Sequence, residues 1–189
     1  MPAHRATRIL AAAIAALALV AVAALPAGAK TSSPEKWGAA FCGGLTEWAD
    51  TITEGGTEIT SSAQGSTPVQ GKELIVGYIG DIREATNTFY TSVKKAGSPD
   101  STNGTKIQKE ILKGISGIED NVADMESIAQ SLPTTDVASF QSAVSSLSTA
   151  FDTVSTPFDN AMDKVTKLDK NDDLSGKLQK VKECKSLFG

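Results

Sequence analysis

The segment ELIVGYIGDIREATNTFYTSVKKAGSP, residues 73 to 99, places Ile75, Ile79, Ile82, Thr86, Phe89, Val93 and Ala96 at alternating steps of four and three. That spacing repeats every 3.6 residues, so the seven side chains share one face of a helix and leave the charged residues on the other. Gly97 followed by Pro99 supplies the stop: glycine takes the backbone conformation that ends a helix, and proline cannot continue one.

The same pattern extends in both directions. Upstream, Ser33-Pro34-Glu35 offers a capping hydroxyl, a proline at the first helical position and an acid near the positive helix end. Trp37, Phe41, Leu45, Trp48, Ile52 and Ile59 then form a first stripe. Gly43-Gly44 within it suits the close approach of a neighbouring helix, and Gly55-Gly56 is expected to weaken the tail, each glycine costing about 1 kcal/mol against alanine. The run Gln64 to Pro68 breaks the helix.

Downstream, Thr105 and Gln108 match a capping box for a third helix with Ile107, Ile111, Ile118, Val122, Met125, Ala129 and Leu132 on one face. Asn103-Gly104-Thr105 also fits a glycosylation acceptor, but Asn-Gly is an ordinary turn pair. Leu132-Pro133 ends this helix, and Thr134-Thr135-Asp136 caps a fourth with Phe140, Val144, Leu147, Phe151, Val154 and Phe158. Pro157 either kinks it or starts a new helix capped by Thr156 and running through Met162, Val165 and Leu168. A last short helix is expected from about Asn171, with Leu174, Leu178, Val181, Cys184 and Phe188 on one side. The expected fold is all-α: an up-and-down bundle of four long helices plus a short C-terminal helix.

The first 29 residues read differently. Arg5 and Arg8 precede seventeen apolar residues, Ile9 to Leu25, and Ala27-Gly28-Ala29 follows. This is the pattern of a secretory signal peptide, with cleavage expected after Ala29 and the bundle domain spanning 30–189. An uncleaved anchor is the competing reading, since seventeen residues span about 25 Å as a helix. The mature chain then has 16 basic residues against 22 acidic ones, a net charge of −6, which steers it away from nucleic acid and anionic bilayers. No further membrane span is expected.

His4, the only histidine, lies in the signal segment. The mature chain therefore has no imidazole, which removes Ser-His-Asp and Cys-His nucleophiles, the usual zinc, haem and copper ligands, and the Glu-x-x-His motif of di-iron bundles. We expect no enzyme and no cofactor. The 37 Ser and Thr among the 160 mature residues make a polar, weakly charged surface suited to an extracytoplasmic protein.

Two cysteines remain, Cys42 and Cys184. Phe41 precedes Cys42, and the apolar run ended at Leu25, which does not suit lipidation at that cysteine. Lys180, Lys182 and Lys185 would lower the pKa of a free Cys184, yet no resolving cysteine or base accompanies it. Both cysteines fall on the apolar sides of their helices in an exported chain, so they are expected to pair and tie the two ends of the bundle.

Other candidate sites compete with plainer readings. Trp37, Phe41 and Trp48 could line a pocket for an apolar ligand, or pack the core. Asp169, Asn171 and Asp173 begin like a calcium loop, but Leu174 replaces its turning glycine and Lys180 its bidentate glutamate, so capping is the better account. Glu119, Asp120, Asp124 and Glu126 form an acidic face that could receive a partner; paired carboxylates for glycoside hydrolysis would also need a cleft with sugar-stacking aromatics.

FCGGLTEW (41–48), AGSPDSTNGTKI (96–107), SLPTTDVASFQSAVSSL (131–147) and ECKSL (183–187) resemble landmarks of a group of uncharacterised small secreted helical proteins of actinobacteria with an early and a late cysteine. The resemblance implies shape and location and brings no catalytic residues. The expectation is thus a secreted or cell-envelope bundle acting through contact with an envelope or extracellular protein, the alternative being an extracytoplasmic carrier of a small apolar or lipidic ligand held between helices.

Overall fold

The computed structural model describes residues 30–62 and 65–188. The expected signal segment, 1–29, lies outside the described residues. A two-residue strand β1 (Thr31–Ser32) leads into α1 (Pro34–Ser62), followed by α2 (Pro68–Ala96), strand β2 (Ser98–Pro99), α3 (Gly104–Gln130), α4 (Val137–Asp152) and α5 (Thr156–Leu168). The C-terminal part is a chain of short turns: a 3-10 turn (Lys170–Asp172), α6 (Ser175–Leu178), a second 3-10 turn (Lys182–Cys184) and α7 (Lys185–Phe188). No described helix is long and apolar enough to cross a membrane.

Helices α1, α2 and α3 run antiparallel in chain order, and α4 and α5 follow one another in a single direction back along α3. Between α1 and α2, the Trp48 indole donates to Thr86 and the Tyr78 hydroxyl to the Ile52 carbonyl. Arg83 meets Glu126 across α2 and α3, and Lys164 meets Glu110 across α3 and α5. Every member of the α2 stripe from Ile75 to Ala96 is buried, as is that of α3 from Ile107 to Leu132. Each large apolar side chain so removed from water stabilises the fold by about 1.5–3 kcal/mol. At the heart of the core Phe41 stacks on Trp37, with ring centroids 5.0 Å apart, and touches Phe89 and Phe158.

The helix starts follow local chemistry, with one correction. Ser33 Oγ accepts from the Lys36 N–H and Asp136 from the Ser139 N–H, as their positions predict. The reciprocal capping box belongs to Thr67 and Gln70, at the start of α2, rather than to Thr105 and Gln108. Helix α3 begins earlier, at Gly104, and Gln108 turns inward into the core. Asn103 spends its amide on the Leu168 carbonyl at the end of α5, which makes it a turn residue tying two elements.

Of the two readings at Pro157, a kink or a new helix, the second holds: Thr153 to Ser155 form a turn, and Asn121 reaches from α3 to donate to the freed carbonyls of Thr153 and Val154. Ser155, not Thr156, stands at the cap position of α5. The single C-terminal helix does not form, because Asn171 is left-handed (φ 67°) and Val181 is extended (ψ 130°). Leu174, Leu178, Val181 and Cys184 are nevertheless all buried, so the strap packs as expected without being one helix. Helix α1 also continues past Gly55-Gly56 to Ser62, with the Tyr78 ring lying against Gly55.

β1 and β2 pair in parallel, Thr31 opposite Ser98 and Ser32 opposite Pro99, and the Ser32 hydroxyl donates to the Ala96 carbonyl. This bridge fixes the start of α1 against the end of α2. Gly97 makes it possible: its φ of +81° belongs to glycine, and a Cβ there would sit 2.0 Å from the Lys30 carbonyl oxygen.

Candidate functional site

In the N-terminal half of α1, Cys42 forms a disulfide with Cys184, the Cα atoms 5.0 Å apart and both residues fully buried. The paired-staple expectation is met. Gly38, one turn before Cys42, lets Leu178 and Val181 close over the bond. Lys182 and Lys185 line a shallow surface cleft opposite Glu47, Asp50 and Glu54. With both sulfurs in the bond, these lysines have no thiol to activate.

Trp37, Phe41 and Trp48 are core residues. The Trp37 indole donates to the Gln108 carbonyl oxygen at 2.7 Å, and the Gln108 amide donates to Val93 O at 2.9 Å, satisfying a carbonyl in the last turn of α2. Trp48 donates to Thr86 Oγ1 at 2.9 Å, and the Thr86 hydroxyl in turn donates to Ile82 O. Trp37 stacks on Phe41, Trp48 is buried in the same core, and the main surface clefts among the described residues are lined by other side chains. Gln108 and Thr86 are the hidden partners. A polar residue on an otherwise apolar stripe was their only sign in the sequence.

The remaining candidates resolve into structural roles. Asp169 accepts from the Leu174 and Ser175 N–H groups with its two oxygens, both at 2.8 Å, and so caps α6. Asp173 pairs with Lys177 and accepts from the Thr102 N–H, contacts that hold its carboxyl below the usual range. On α3, Glu126 is engaged by Arg83, and Asp124 is exposed. Asp120 lines a mixed-charge cleft with Lys113 and Lys164. Burial, then the neighbouring Asp120, pushes the Glu119 carboxyl up. Among the described residues no group of three or more Cys, Asp or Glu gathers as a metal site.

The sequence did not signal a groove between the C-terminal half of α1 and the N-terminal half of α2, about four turns beyond Cys42. It encloses about 540 Å³. Ile59, Leu74 and Tyr78 form its apolar floor, and Glu58, Glu73 and Asp81 its rim. Tyr78 is anchored: its hydroxyl donates to Ile52 O at 2.7 Å, its ring stacks on Phe151, and burial pushes its phenol pKa up. Leu74 and Tyr78 lie one turn apart beside the core stripe, which is the pattern that could have disclosed this second ridge.

The chain matches no known family model, no curated protein and no solved structure.

Proposed function

We propose that this protein is an exported, non-enzymatic helical bundle of the cell envelope or extracellular space that acts by binding another protein. The observation that carries the reading is the buried Cys42–Cys184 bond between the two ends of the domain. Such bonds form and persist in oxidising compartments outside the cytoplasm. The basic and apolar N-terminal segment and the Ser/Thr-rich surface agree with that location.

The contact role is supported by where the polar chemistry lies. Both core indoles, Gln108 and Thr86 are committed to internal hydrogen bonds. The mature sequence lacks histidine. What remains available is the outside of the helices. The test is gentle crosslinking in the envelope fraction of the producing cell: the reading expects one specific protein attached, and a chain recovered alone counts against it.

A carrier role is the second reading, favoured by the apolar floor of the α1–α2 groove rather than by the tryptophans. Native mass spectrometry of protein from its own host separates the two, since a co-purifying small mass favours the carrier.

A further inference from the structure

We propose that the α1–α2 groove docks a basic amphipathic helix of the partner protein; the inference rests on the contact reading above and names the partner's chemistry. Three features converge on it. The floor of Ile59, Leu74 and Tyr78 leaves apolar surface at the rim of the bundle, and Tyr78 is held in place before any partner arrives. The rim carries three carboxylates, Glu58, Glu73 and Asp81, and among the described residues no lysine or arginine lines the groove. Nearby Lys72 is turned away, its ammonium donating to the carbonyls of Gln130 and Leu132. An occupant with cationic flanks and an apolar face matches this arrangement, whereas an anionic one is repelled.

The third feature is Gly77. A glycine inside a helix weakens it, and no neighbouring atom among the described residues requires one here, because none of them lies within 4 Å of where its Cβ would stand. A side chain at that position would project into the groove. Both walls are helices whose backbone groups are already paired, so an extended peptide would find no strand edge to join. A helix laid into the groove, its apolar side down, needs none.

The experiment titrates isotope-labelled protein, exported and disulfide-bonded, with a synthetic amphipathic Leu/Lys helical peptide and follows the backbone amides by NMR. Shifts should concentrate at Gly55, Ile59, Leu74 and Gly77. The triple change Glu58→Gln, Glu73→Gln, Asp81→Asn should weaken binding at least about tenfold, as should raising salt. Gly77→Phe should abolish binding while leaving the unfolding midpoint unchanged or raised, which separates a filled groove from a damaged fold. Equal binding by Gly77→Phe, shifts spread over Asp120 and Asp124, or equal occupancy by a Leu/Glu peptide or a zwitterionic detergent overturns the proposal. A partner crosslinked through another face, with the groove amides unmoved, overturns the groove assignment and leaves the contact reading standing.

Discussion

Thr86 shows how much a single hydroxyl does in this core. It accepts the Trp48 indole proton and donates its own to Ile82 O, with no exposure to water. Thr86→Val keeps the shape and strands the indole N–H, so urea unfolding should show a loss of about 1–3 kcal/mol. Gly97 acts through the backbone instead. Its φ of +81° with ψ of −159° is open only to glycine, and Gly97→Ala should cost about 3 kcal/mol by the same measurement, with the β1–β2 bridge lost first. The chain alone disclosed Gly97 as the stop of α2 but not its close approach to Lys30, and it did not disclose the role of Thr86. Thr86 was legible as one of seven stripe positions, but its partner lies 38 residues away. Gln108 was misread for the same reason: Thr105-x-x-Gln108 satisfies the local capping pattern, while the Trp37 indole that draws Gln108 inward is 71 residues distant.

For whole elements, periodicity carried further. The stripes of α2 and α3 are buried without exception, because in a long helix every apolar residue at that spacing faces one direction. The C-terminal strap defeats the same logic. Leu174, Leu178, Val181 and Cys184 keep helical spacing and share a buried side, yet short turns joined through a left-handed Asn171 and an extended Val181 accomplish this as well as a helix would. The groove escaped notice because its floor belongs to two elements at once, and neither Leu74 nor Ile59 is unusual within its own helix. Helix α4, whose one fully buried residue is Leu147, leans on its cap. Hydrogen bonds from Ser139, its backbone N–H first, hold the Asp136 carboxyl below the ordinary range. With the folded pKa depressed, the unfolded chain takes up the proton first as pH falls. The cap's contribution is therefore complete above the ordinary carboxylate range and disappears as pH drops through the folded value. The Ser139 amide shift should titrate with that low midpoint, and Asp136→Asn should abolish the titration while α4 stays capped.

Across the molecule, one covalent bond joins positions 142 residues apart. In the chain-entropy account, closing so long a loop is worth roughly 5 kcal/mol. Replacing Cys42 and Cys184 together by alanine should lower the unfolding free energy by up to about that amount. Because both cysteines are wholly buried, a thiol reductant should leave the native bond intact until denaturant opens the strap. Mass after alkylation, with and without urea, reads this directly, and labelling without urea would contradict the burial.

The clasp also decides how the protein meets mechanical load. Tension applied between its first and last described residues runs from the start of α1 through the disulfide to the final turn and bypasses everything between. Only about 15 residues can straighten, an extension on the order of 50 Å, where an unclasped chain would pay out roughly ten times as much. Anchored at one end and tugged at the other, the bundle would behave as a short inextensible link whose α1–α2 groove keeps its shape under strain.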